Sequence, residues 1–169
     1  EVFLQNGYPG AFEEFSKYIA RWTWPHKLHQ GDKLPEIFKA DRKDKHRKAF
    51  HIKMNASDGL SLVATTALFI IKVLLQLPVP DGSCKKECYA FLALVDVIEL
   101  IVSSARNVVK PDRLLTLVEQ FLELFKEAWG VNTMTPKFHW LLHLWKQLER
   151  MKMLLNCFCL ERKHRAGKR

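Results

Sequence analysis

A chain of 169 residues with 48% hydrophobic and 11% aromatic content carries enough apolar side chain for one buried core, which excludes a wholly disordered protein. Its formal net charge of +9 is concentrated in two places: Lys39 to Lys53 sets seven lysines and arginines against two aspartates, and Glu161 to Arg169 sets five against one glutamate. Charge gathered in this way favours a polyanionic partner, with a merely solvated basic face as the alternative.

Phe12, Phe15, Ile19 and Trp22 recur at helical spacing and predict a first helix over Tyr8 to Arg21, ended by Trp24-Pro25 because proline disfavours helix in the residue before it. The segment His26 to Asn55 is polar, basic and interrupted by Pro35. It reads as the least ordered part of the chain, with one short helix around Glu36 to Arg47. Ala56 to Leu77 opens on capping side chains and is nearly all apolar inside, as expected of a central helix buried on most sides; Pro78 and Pro80 stop it. After the Asp81-Gly82-Ser83 turn, Cys88, Phe91, Leu92, Val95, Ile98 and Val102 form the inward stripe of a helix reaching about Asn107, with Asp96, Glu99, Ser103 and Arg106 opposite.

Lys110-Pro111-Asp112 starts another helix, with proline in the first turn and an acidic residue at the positive end of the dipole. Leu114, Leu117, Val118, Phe121, Leu124, Phe125 and Ala128 make its apolar face, and Gly130 closes it. Thr135-Pro136 opens the last helix in the same way, with Phe138, Leu141, Leu142, Trp145 and Leu148 inward. No run sustains the period-two alternation of strands, so the chain reads as all-α, an irregular bundle of about five main helices. The expected organisation is an N-terminal helix (1–25), a basic polar linker (26–55), a helical bundle core (56–155) and a basic C-terminal segment (156–169). Beginning at Glu1 and ending in a basic run, the chain reads as a piece of a longer protein.

Two apolar stretches invite comparison with a membrane span. Leu60 to Leu77 contains Lys72, and Phe91 to Ala105 contains Asp96 and Glu99. Each is too short or too charged for the roughly 20 apolar residues a bilayer needs, so buried helices and no membrane partner are expected. No signal peptide is evident, and Cys84, Cys88, Cys157 and Cys159 are expected as reduced thiols in a nuclear or other intracellular setting.

His139 and His143 stand one helical turn apart, a spacing at which two imidazoles can share a metal. The His-Trp-Leu-Leu-His sequence lacks the glutamate a zinc protease needs. A structural zinc site joining them to Cys157 and Cys159 competes with histidines hydrogen-bonded at the edge of a packing seam. Cys84 and Cys88 are either thiolates favoured by the helix dipole, Lys85 and Lys86, or small buried hydrophobes. Asp96 with Glu99 is a divalent-cation candidate set against a solvated or ion-paired face, and no hydrolytic triad is supported. Glu161 lies among cations, where a carboxylate could complete a metal site for phosphodiester chemistry but could not make one alone. Arg42, Lys43, Lys45, Arg47, Lys48, Arg162, Lys163, Arg165, Lys168 and Arg169 are the candidate phosphate contacts.

The order Pro-Lys-Phe-His-x3-His-Leu from Pro136, a leucine-rich link, and Cys-Phe-x-Leu-Glu-Arg-Lys-His-Arg-x-x-Lys-Arg from Cys157 resembles the C-terminal part of eukaryotic cut-and-paste transposase-derived proteins, nearest the CACTA-type group. Trp22-x-Trp-Pro, Met54-Asn55-Ala56-Ser57 and Cys88-x2-Phe91-Leu92-x-Leu94 are similar to the helical region of the same proteins, and the final ~35 residues carry the distinctive part. The resemblance implies a ribonuclease-H-like core whose Asp-Asp-Glu triad is interrupted by an all-helical insertion. Most of this chain would then be the insertion, and Glu161 would be the third carboxylate ligand of Mg²⁺ or Mn²⁺ in an intact parent. DNA as partner, a nuclear location and homo-oligomers formed through the parent are implied with it. Trp145 stands where relatives tend to place proline. A non-enzymatic helical interaction module is the alternative reading.

Overall fold

Phe12, Phe15 and Ile19 fall on one side of a helix, and that helix forms over Ala11–Ala20 (α1) with all three buried. It starts three residues later than the periodicity predicts because Gly10, at φ 79°, turns the chain into it through the left-handed region. Glu13 and Glu14 occupy the first turn, where carboxylates complement the dipole. The computed structural model describes residues 10–24, 31–38, 42, 45, 48, 54, 56–77, 84–104 and 109–152.

The remaining described helices are Ala56–Lys72 (α2), Lys85–Ser103 (α3), Pro111–Trp129 (α4), Pro136–Leu141 (α5) and Leu144–Met151 (α6). Short 3₁₀ turns lie at Gly31–Phe38, Leu74–Gln76 and Val131–Thr133. Because α5 and α6 are two parts of one interrupted helix, the described residues present five main helices and no strand, and the all-α expectation holds. The chain divides into two compact units, Glu1–Val95 and Asp96–Arg169, the boundary falling within α3.

In the first unit α1 packs on the Gly31–Phe38 turn and on α2. The seam is aromatic: the Phe15 ring meets Phe38 edge-on at 4.9 Å and Phe69 at 5.0 Å, and Tyr18 lies 5.2 Å from Phe69. Leu34, Ile37, Leu62, Ile70, Leu74, Cys84 and Cys88 complete this core. Burial of each large apolar side chain contributes about 1.5–3 kcal/mol, which offsets part of the cost of ordering the 3₁₀ turn. Part of the expected linker is therefore core, and its turn overlaps the start of the helix expected at Glu36 to Arg47. The signal lies in Leu34, Ile37 and Phe38, three apolar residues within five positions.

Helix α2 is not buried on most sides. Leu62, Thr65, Phe69 and Ile70 face inward, while Leu60, Leu68 and Ile71 are exposed at 37%, 38% and 40%. The helix also ends at Lys72, and the 3₁₀ turn over Leu74–Gln76 carries the chain to Leu77. By length and composition alone, Asp58–Gln76 is apolar enough to cross a membrane, so Lys72 is not the obstacle expected of it.

In the second unit α4 opens with Pro111 at its first turn and closes at Gly130, whose N–H donates to the Lys126 carbonyl at 2.8 Å. Its apolar face buries Leu114, Val118 and Phe121 and packs on α6, where Leu148 is buried. Phe138 of α5 stacks on Phe125 at 4.5 Å between ring centres. Along α3 the expected stripe is only partly right: Val102 is 55% exposed, whereas Ala90, Ala93 and Val97 are buried.

Candidate functional site

The sequence-level site residues fall into three groups. In the first basic segment Arg42, Lys45 and Lys48 are each helical. Lys45 and Lys48 are exposed and Arg42 is half-buried. Lys43, Arg47, Cys157, Cys159, Glu161, Arg162, Lys163, Arg165, Lys168 and Arg169 lie outside the described residues.

The second group is the histidine pair. Pro136 starts α5, but Leu142 and His143 hold ψ at −13° and −7°, and the His143 N–H bonds the Trp140 carbonyl at 3.1 Å, three residues back. The helix resumes at Leu144, so the single amphipathic helix expected here is interrupted under the second histidine. Across this tightened turn the Nε2 atoms of His139 and His143 stand 3.0 Å apart, with rings crossing at 84° and centres 4.6 Å apart. At that distance one Nε2–H donates to the other ring's Nε2 lone pair, so the accepting ring carries its proton on Nδ1. Both histidines are exposed, and Trp140 between them is 70% exposed. The hydrogen-bonded alternative thus describes the pair, although at an open surface rather than a packing seam.

The third group lies on α3. Cys84 and Cys88 are buried, and their thiols are pushed up, Cys88 to about 12. Burial is the largest cause, and for Cys88 the neighbouring Cys84 and Glu87 add to it. The thiolates that the dipole, Lys85 and Lys86 would favour are therefore not formed, and the two cysteines act as small core hydrophobes. Further along, Asp96, Glu99, Leu100 and Ser103 line an open hollow of about 410 Å³ with Arg113 and Leu117 of α4. Arg113 was not singled out from sequence. Its position two residues after Pro111, in the first turn of α4, was the available signal, but nothing in the periodicity ties it to the acidic face of α3. Among the described residues no three His, Cys, Asp or Glu side chains converge as a metal site.

The chain matches no protein-family model, no curated protein and no solved structure.

Proposed function

We propose that the chain is the helical part of a transposase-like DNA-binding protein, and that its basic segments grip the phosphate backbone. The observation that carries this reading is the concentration of the entire +9 excess in two short segments, together with the likeness of the Pro136–Arg169 motifs to transposase-derived proteins. The exposed lysines Lys45 and Lys48 support it, because ammonium groups bind phosphate oxygens without reading bases. Sequence preference should accordingly be slight.

In the intact protein, Glu161 would supply one carboxylate to a site whose Mg²⁺ or Mn²⁺ stabilises charge on the reacting phosphate. This chain alone would be catalytically silent. Its own contribution is binding and shaping, with Arg162, Lys163 and Arg165 holding the backbone beside that carboxylate.

The test is fluorescence anisotropy with duplex DNA over a range of salt. Affinity should fall steeply with salt, and replacing Lys45 and Lys48 by alanine should lower the log–log slope by about 1.8 if each makes one phosphate contact. Affinity that is indifferent to salt would sink the DNA reading and leave the non-enzymatic helical interaction module. In the full-length protein, Glu161→Gln should abolish Mn²⁺-dependent cleavage while leaving DNA affinity intact; cleavage by that variant would remove Glu161 from the site.

A further inference from the structure

The His139–His143 pair brings two imidazole nitrogens to 3.0 Å at an open surface, close enough for a single metal ion to replace the proton they share. Two nitrogens 3.0 Å apart, each at the roughly 2.0–2.1 Å typical of a metal–imidazole bond, subtend an angle of about 95° at a common ion. That is close to the cis angle of a square-planar or octahedral centre, as copper(II) and nickel(II) adopt, and a slightly wider separation gives the ~109° of a tetrahedral one. Imidazole nitrogen suits both ions. The ring torsion of histidine is soft, so a modest rotation of each ring turns both lone pairs to one point. The interrupted helix holds the two rings in this relation from a backbone that stays right-handed through Leu142 and His143.

We infer that His139 and His143 form a bidentate surface site for a divalent transition-metal ion of the kind imidazole ligates, nickel(II) and copper(II) among them, with its remaining positions open to solvent oxygen. Both rings are exposed, so an ion reaches them without any opening of the core. Among the described residues no third His, Cys, Asp or Glu ligand joins them. The inference stands apart from the DNA reading, since it uses none of the basic segments.

Nickel(II) alone is the probe, added to the whole chain and followed by isothermal titration. One ion per chain should bind. Either His139→Gln or His143→Gln should weaken binding by at least about tenfold, since loss of an outer-shell partner already costs ~10–100-fold. The double variant should be little weaker than either single one, because a chelate is lost with its first arm. Wild-type affinity in either single variant, or no binding by the wild type, overturns the site. A second measurement needs no variant: in the ¹⁵N-labelled wild-type chain, paramagnetic nickel(II) should broaden the amide signals of Phe138 to Leu144 before all others. Broadening centred elsewhere, at other histidines or at cysteines, refutes it equally.

Discussion

Cys88 offers the sharpest quantitative test of the core. An ordinary thiol with a pKa of 9.0 is about one-tenth thiolate at pH 8, whereas the Cys88 thiol, pushed up to about 12, is thiolate in about one molecule in ten thousand, a ratio near a thousandfold. Because the thiolate is the nucleophile, alkylation by iodoacetamide should be slower in the native chain by about that factor than in the same chain unfolded in urea. The assay is a quenched time course, tryptic digestion and mass spectrometry of the peptide beginning at Glu87, which isolates Cys88 from every other thiol. Cys84, also raised but less so, should react faster than Cys88. Native labelling of Cys88 at more than about one-tenth of the unfolded rate would refute the argument that burial governs this thiol. The same shift has a thermodynamic consequence. Between about pH 9 and 12 the native chain keeps a proton that the unfolded chain has released, so stability is full below about 9 and falls as pH rises through that window. The alkaline fall in urea midpoint should be shallower in Cys88→Ala, which removes this titration while other groups continue to contribute.

Three further outcomes follow from packing and backbone. Phe69→Ala empties a site that is 2% exposed and touched by Phe15 and Tyr18, and should cost about 3–5 kcal/mol in urea unfolding followed by circular dichroism; a loss below about 1 kcal/mol would mean that the aromatic seam is not the core of the first unit. Gly130→Ala meets no atom within 4 Å but must adopt φ 83°, ψ 159°, so its cost of about 1–3 kcal/mol is purely conformational and should show as a lowered melting temperature. Trp24 buries an indole N–H that meets no acceptor among the described residues, and Trp24→Phe should change stability by less than about 1 kcal/mol because removing the orphan donor offsets the lost packing; a loss above about 3 kcal/mol would reveal a partner for that N–H.

Where the chain alternates apolar and polar residues with a clear period, sequence and structure agree. Phe12, Phe15 and Ile19 are buried as expected, and Pro111, Gly130 and Pro136 bound their helices where their missing donors and permissive backbone place them. Where nearly every residue is apolar, as in α2, period carries no facing information. The side that packs is then chosen by partners distant in sequence, here α1 with Phe15 and Tyr18. The buried turn at Leu34, Ile37 and Phe38 was obscured by its polar and proline neighbours, whose composition says loop while three side chains say core. Of the candidate site, the i, i+4 histidine spacing was legible. The 3.0 Å approach of the rings was not, because it depends on backbone angles at Leu142 and His143 that no residue type there demands. At Cys84 and Cys88 the sequence leaves two readings open, and desolvation, which only the packed structure supplies, decides for buried hydrophobes over the pull of dipole and lysines.

The two sides of α2 answer to different constraints. Substitution at Leu62, Phe69 or Ile70 acts on whether the first unit folds, whereas Leu60, Leu68 and Ile71 act on how concentrated the folded protein can be kept before molecules adhere to one another. Glutamate or lysine in place of the outer three would leave the interior volume untouched and raise solubility. A single helix thereby separates the residues that determine folding from those that govern how one folded molecule meets the next.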